Sequence, residues 1–231
     1  DIADQNKIIL LEDNAQSPIA KYKNKFAGTY GKAGIMSFNY HKVVQTGEGG
    51  VAITDDESYA EHMQLKRNHG EVVVGKINKA NMLNQLGFNY RLPELCAAVG
   101  IPQFNKIDKL TSIRVELADY MTLLLSKFDF ITTPFKEQFS DHVYYLYAFK
   151  FSSELAGFNR KSFVNAMKME GISIYEGYMK PLYLDPIYQE YCAFGSTKFP
   201  FISEYYESEV NYNKGICPVA EAMYEKNIII T

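Results

Sequence analysis

The chain has 231 residues, 47% of them hydrophobic and 22% charged, which is enough for one large domain or two small ones. A net charge of −3 gives no reason to expect nucleic acid or an anionic membrane as partner. No apolar run approaches the roughly 20 residues of a spanning helix, so no membrane association is expected. Cys96, Cys192 and Cys217 are widely spaced and form no CxxC pair, so buried thiols in a reducing cytoplasm are expected rather than ligands or a disulfide.

Neither end reads as a natural terminus. Residues 1–7 look like the close of a helix feeding a strand, and residues 227–231 stop on an apolar run, so part of a longer protein is expected. Residues 8–11 (Ile-Ile-Leu-Leu) predict a parallel strand buried on both faces, with Asp13 at its carboxyl end, where open α/β sheets place ligands. Gly28, Gly31 and Gly34 then mark a loop or hairpin, residues 35–38 a second strand, and residues 51–54 a third, opened by Gly49-Gly50. Asp55-Asp56 caps a helix running to Lys66, which Asn68-His69-Gly70 ends.

Residues 71–86 show no clear period. Pro93 opens a helix, and the small residues Ala97, Ala98 and Gly100 suggest close packing. After Ile101-Pro102 the apolar spacing of Phe104, Ile107, Leu110, Ile113, Leu117, Tyr120 and Leu124 predicts a long amphipathic helix to about Lys127, able to link two domains. Residues 143–149 are rich in β-formers and predict a strand. Asn159 predicts the cap of a helix ending at Gly171, and residues 172–175 a further strand. The proline- and tyrosine-rich remainder predicts loops and short helices.

Two runs could carry chemistry. One is the acid and amide of Glu12-Asp13-Asn14-Ala15-Gln16; the other is Ser37-Phe38-Asn39-Tyr40-His41-Lys42, followed by Thr46-Gly47-Glu48-Gly49-Gly50. Taken singly, Asp13 reads as a helix cap, Lys42 as a solvated charge and the glycines as a tight turn. Taken together, an acid and a lysine at two strand ends form the pairing that a pyridoxal phosphate site needs: an amine for the cofactor's aldehyde and a carboxylate for its ring nitrogen. Ser37 offers a hydroxyl for the phosphate and Gln16 a side chain for the ring's 3-oxygen. His41 and His69 have no metal-ligand partner at a useful spacing, so no metal is expected.

These runs, in this order, resemble the DegT/DnrJ/EryC1/StrS aminotransferase family. The likeness continues through Arg67-Asn68-His69-Gly70, Gly87-Phe88-Asn89-Tyr90-Arg91-Leu92-Pro93-Glu94-Leu95, Gly171-Ile172-Ser173 and Tyr178-Met179-Lys180-Pro181-Leu182. The resemblance implies an α/β fold of the aspartate aminotransferase type: the later part of the cofactor-binding large domain with a mainly parallel sheet and the linking helix (1–127), then a small α+β domain (128–231). It implies pyridoxal 5′-phosphate as cofactor, Lys42 as the Schiff-base lysine and Asp13 as the pyridinium partner. Gln16 is similar to the residue at the 3-hydroxyl and Ser37 to a phosphate contact. Asn89 is similar to the asparagine that reaches the phosphate of a neighbouring subunit, which implies a homodimer with shared sites.

His41 and Tyr178 would border the sugar pocket. The implied activity is transfer of an amino group, from glutamate by family likeness, to a nucleotide-linked keto-deoxy sugar for polysaccharide, glycan or antibiotic sugars. Dehydratase members of the family carry histidine in place of the lysine. Lys42 therefore favours transamination, with dehydration, or a truncated non-catalytic relative, as the alternatives. The family's usual His-Pro is Asn39-Tyr40 here. Its N-terminal phosphate turn and ring-stacking aromatic are not among these residues.

Overall fold

The computed structural model describes residues 2–71, 85–206 and 208–231; most of the stretch 71–86, read above as aperiodic, lies outside them. In chain order the first elements are α1 (Ile2–Gln5), β1 (Leu11–Asp13), β2 (Lys21–Tyr22), β3 (Lys25–Phe26), β4 (Ala33–Ser37), β5 (Gly50–Ile53), α2 (Glu57–Arg67) and α3 (Glu94–Phe104). There follow α4 (Ile107–Leu125), β6 (Ile131–Thr132), β7 (Ser140–Asp141), β8 (Ala148–Phe151), α5 (Ser153–Ala156) and α6 (Arg160–Met169). The last are β9 (Tyr175–Glu176), α7 (Pro186–Gln189), α8 (Pro218–Ala222), a π-helical turn (Met223–Asn227) and β10 (Ile228–Ile230). These elements fall into two compact units. One comprises Asp1–Ala118 and Lys136–Tyr145, the other Asp119–Phe135 and Leu146–Thr231.

In the first unit β4 lies between β1, which runs parallel to it, and β5, which runs antiparallel. The pairing of Asp13 with Ile35 brings the carboxyl ends of β1 and β4 to the same edge. The strand expected at residues 8–11 is shorter and more open than its sequence predicts. Only Leu11 enters β1, and Ile8, Ile9, Leu10 and Leu11 are 62%, 62%, 48% and 65% exposed. Residues 8–10 lie before β1, which is an edge strand with β4 as its one sheet neighbour among the described residues. The core of this unit gathers Phe38, Val44 and Ile107, with Ile19 and Met36 packed against them and the Phe104 ring set edge-on to Phe38. A second small sheet pairs β2 with β3 and β7. Its hairpin turns through Lys23 and Asn24, both at positive φ, as a two-residue hairpin loop requires.

The helix signals are local, and they hold. Asp56 accepts the Tyr59 N–H at 3.0 Å to cap α2, which ends where His69 and Gly70 turn left-handed. The break expected at Ile101-Pro102 falls later, because α3 passes through Pro102 and ends at Phe104. Within α4 only the first residue of the predicted apolar stripe, Ile107, lies on the buried face. The buried residues are Ile107, Thr111 and Ala118, whereas Leu110, Ile113, Leu117, Tyr120 and Leu124 are exposed. At 3.6 residues per turn the exposed stripe lies roughly 100° around the helix from the buried one. Periodicity reported an apolar face, and packing used its small-residue neighbour.

In the second unit β8, β10, β9 and β6 form an antiparallel sheet in the order β6-β8-β10-β9. Phe149, Phe151, Val164, Ile174 and Ile229 are fully buried, and Phe130, Phe158 and Phe163 gather their rings about Phe151. Asn159 caps α6 by accepting the Ser162 N–H at 2.8 Å, and Gly171 follows its end at φ 83°. Arg160, in the first turn of α6, donates from Nη1 to the carbonyls of Tyr224 and Ile228 at 3.0 and 2.9 Å and from Nη2 to that of Glu225 at 2.9 Å. Its Nε stands 3.6 Å from the Glu176 carboxylate.

Three expectations are corrected here. The strand predicted at 143–149 begins only at Ala148, because Tyr144 takes a left-handed φ of 48° that no strand accommodates. The strand predicted at 172–175 is ordered as sheet only over Tyr175–Glu176. The cysteines are free, yet Cys192 and Cys217 are exposed and Cys96 is half-buried, since they sit in a turn, at a helix cap and in a helix's first turn rather than in either core. No helix among the described residues is long and apolar enough to cross a membrane.

Candidate active site

The site is assembled at the shared carboxyl edge of β1 and β4. Asp13 closes β1 with an exposed carboxylate whose Oδ1 accepts the Ala15 N–H at 3.0 Å, turning the chain toward an exposed Gln16. Its neighbour Glu12 has a different job. The Glu12 carboxylate accepts the N–H groups of Gly28 (2.7 Å) and Gly31, tying the segment before β4 to β1. Between them Asn14 is buried, and among the described residues its Nδ2 has no acceptor.

On β4, Ser37 is the last residue and its Oγ lies 3.3 Å from the Asn39 N–H. Phe38 then turns into the core, and residues 39–42 form a turn closed by Lys42 N–H donating to the Asn39 carbonyl at 2.9 Å. Val43 and Val44 plunge back into the core at 7% and 1% exposure. Lys42 is therefore held between two buried anchors, so its backbone is fixed while its side chain reaches out. The far side of the loop is stitched as well. Asn39 Nδ2 donates to Glu48 at 2.7 Å, Thr46 N–H to the Phe38 carbonyl at 2.9 Å, and Phe38 N–H to the Gly49 carbonyl at 2.9 Å. Gly49 is required there: a Cβ would stand 2.6 Å from Thr46 Oγ1 and 2.9 Å from Leu92. Gly100 of α3 leaves just enough room for Thr46 Cγ2, which would lie 3.0 Å from an added Cβ.

Tyr145 joins this group although its sequence context read as strand. Lys42 Nζ lies 4.5 Å from the Tyr145 ring centroid, His41 is 6.1 Å from that ring, and Tyr40 packs edge-on to His41 at 5.1 Å. The only hint in the sequence is the aromatic density of residues 143–149, which does not distinguish a strand from a site-lining loop.

Asp13, Gln16, Ser37, His41 and Lys42 thus gather on and just beyond two neighbouring strand ends. Asn89 is an exposed residue on a strap pinned to the end of α2, where it bridges to Asn68 while Phe88 and Tyr90 donate to the carbonyls of Lys66 and Arg67 at 2.7 and 2.9 Å. Tyr178 belongs to the second unit, exposed just after β9. The donor set of the first unit fits pyridoxal phosphate: an amine, a carboxylate, an amide and a hydroxyl leave adjacent strands on one edge.

The parallel pairing of β1 with β4 thus delivers an acid and a lysine-bearing loop to one edge of an α/β sheet. The model of the DegT/DnrJ/EryC1/StrS aminotransferase family matches residues 1–215. The chain belongs to that family. It is 26% identical over 215 residues to the spore coat polysaccharide biosynthesis protein SpsC of Bacillus subtilis, covering 89% of this chain and 54% of that protein. It is 31% identical over 119 residues to the GDP-perosamine synthase of Escherichia coli O157:H7, covering 52% of this chain and 32% of the synthase. The E. coli GDP-4-keto-6-deoxy-D-mannose-3-dehydratase with bound hydrated PLP shares the fold, with a TM-score of 0.75 at 24% identity over 99% of this chain and 57% of that one. The chain spans about half the length of the curated relatives that it matches along most of its own length.

Proposed function

We propose that this chain supplies the lysine-bearing part of a pyridoxal-phosphate-dependent sugar aminotransferase, one that moves an amino group from glutamate to a nucleotide-linked keto-deoxy sugar. The observation that carries this reading is the pairing of β1 with β4, which delivers Asp13 and the Ser37–Lys42 segment to one edge. Family membership supports it. When bound, the cofactor supplies an electron sink for the α-carbon of the donor.

The chain's own residues would do the rest. Lys42 would hold the cofactor at its aldehyde through its amine and would serve as the general acid–base group for the proton of the donor's α-carbon. Asp13 would keep the ring nitrogen protonated, Gln16 would meet the 3-oxygen, and Ser37 would hold the phosphate. Asn89 would reach the phosphate of a partner subunit, which would make the working form a homodimer, and the place of work would be the cytoplasm. His41 and Tyr178 would border the sugar. The large domain would run to about residue 127, with the small domain beyond it.

The test is trapping. Incubation with pyridoxal phosphate followed by borohydride reduction and peptide mapping should place the cofactor mass on Lys42. Lys42→Ala should remove both that mass and the visible absorbance of the bound cofactor. Adducts spread over other lysines at the same level in wild type and Lys42→Ala would refute the assignment.

A further inference from the structure

We propose that Tyr145 is a positioning residue for Lys42, holding its ammonium on the ring face so that the amine waits in a restricted volume beside the ends of β1 and β4. The proposal deepens the reading of Lys42 given above and rests on it. A lysine reaches its target on a four-carbon stem with many rotamers, so an amine at a strand edge sweeps a wide volume unless something attracts it. The Tyr145 ring supplies that attraction. The Nζ lies 4.5 Å from its centroid, within the roughly 6 Å over which the negative face of an aromatic ring draws a cation.

The backbone that carries the ring is itself held. Arg114 of α4 donates from Nη1 to the carbonyls of Tyr144 and Tyr145, at 3.2 and 3.4 Å. The Tyr144 N–H donates to His142 Nδ1 at 3.0 Å, and the His142 and Tyr144 rings lie tilted at 43° with centroids 4.2 Å apart. Val143 and Tyr144 are buried at 6% each, so the chain just before Tyr145 is anchored in the unit. Tyr144 accepts a left-handed φ of 48°, which costs a non-glycine residue on the order of 1–3 kcal/mol, and the turn it makes presents Tyr145 to Lys42. His41 lies against the same ring at 6.1 Å, so the lysine's own loop also packs on Tyr145.

The ring face, not the hydroxyl, does the holding, and this makes the idea testable without cofactor. The purified chain would be labelled briefly with an amine-acetylating reagent at neutral pH, and each lysine followed by peptide mass spectrometry. Tyr145→Leu keeps apolar bulk but removes the ring, so Lys42 should label about two- to fivefold faster, the factor by which an exposed cation–π contact restrains its cation. Tyr145→Phe keeps the face and should match wild type. Arg114→Gln, which loosens the clamp, should move in the direction of Tyr145→Leu. Lys32, paired with Asp56 at 2.5 Å elsewhere in the unit, serves as internal control and should label equally in all four proteins.

Equal Lys42 labelling in Tyr145→Leu and wild type, or a Phe variant that behaves like Leu, would overturn the proposal. A change at Lys32 as well would assign the effect to general loosening and overturn it too. Borohydride trapping separates the two readings. Cofactor mass on Lys42 with unchanged labelling sinks the role of Tyr145 alone, whereas the expected labelling with cofactor trapped elsewhere sinks the assignment of Lys42.

Discussion

Replacing Arg160 by Met should destabilise the second unit by about 3–5 kcal/mol. The magnitude follows from what the guanidinium holds. Its side chain is only 10% exposed and makes three hydrogen bonds, at 2.9 to 3.0 Å, to carbonyls of the π-helical turn and of β10. A hydrogen bond from a charged donor contributes roughly 1.5–3 kcal/mol, but three sharing one group are not additive. Met fills most of the volume and restores none of the bonds, so the carbonyls of Tyr224 and Glu225 would lose this donor, while that of Ile228 would keep the Gly177 N–H at 2.8 Å. The Glu176 carboxylate, 3.6 Å from Nε and one-third exposed, can turn to water and adds little. Urea unfolding monitored by far-UV circular dichroism should show the loss as a lower midpoint at similar slope, with Arg160→Lys in between because an ammonium can serve part of the set. A Met variant within about 0.5 kcal/mol of wild type, the usual range for a surface substitution, would refute the reasoning.

Three smaller changes test other parts of the two units. Gly28→Ala should cost about 2 kcal/mol or more, because Gly28 sits at φ 90° and a Cβ would stand 2.4 Å from the buried Asn14 amide. Gly157→Ala, also left-handed but with open space around it, should cost only about 1 kcal/mol, and equal losses by thermal denaturation would count against the contact. His142 is held below the ordinary histidine pKa, first by partial burial and then by the nearby Lys136 charge. A lowered folded pKa means that the unfolded chain binds the proton more readily, so stability is full above the ordinary histidine range and falls as pH drops through it. Protonation would also deprive Tyr144 N–H of its acceptor. The difference in melting temperature between about pH 7.5 and about pH 5.5 should therefore shrink in His142→Asn, and an unchanged difference would remove His142 from the explanation.

What could be read from the chain divides by the range of the interaction concerned. The caps at Asp56 and Asn159 and the stop at Gly171 were legible because a side chain meets a backbone group a few residues away. Asp13 was legible as the end of the first strand, although the apolar run at 8–11 precedes most of that strand, and the expected second strand, 35–38, ran one residue past Ser37, where β4 ends. The exposure of residues 8–11 was not, because burial depends on which strands lie on either side. Nor was the face that α4 buries, where the small Thr111 and Ala118 sit beneath the fold while larger apolar residues face outward. Tyr145 was hidden most completely. Its placement depends on Arg114 and on an unusual φ at Tyr144, neither of which leaves a periodic trace.

The strand order of the second unit has a consequence for the newly made chain. β10 follows β8 and β9 in the chain, yet it lies between them, and among the described residues they do not pair with each other. Until residues 228–230 emerge, β8 and β9 each present an unpaired edge, and the Phe149–Phe151 side chains await the fully buried Ile229. Arg160, already synthesised, waits with its guanidinium for the carbonyls of residues 224, 225 and 228. The strands of the lysine-bearing sheet, β1, β4 and β5, all precede those of the second sheet in the chain. The lysine-bearing sheet is thus made first, and the second sheet is completed only once β10 has been made. The interval between them is when exposed strand edges are most open to pairing with another chain.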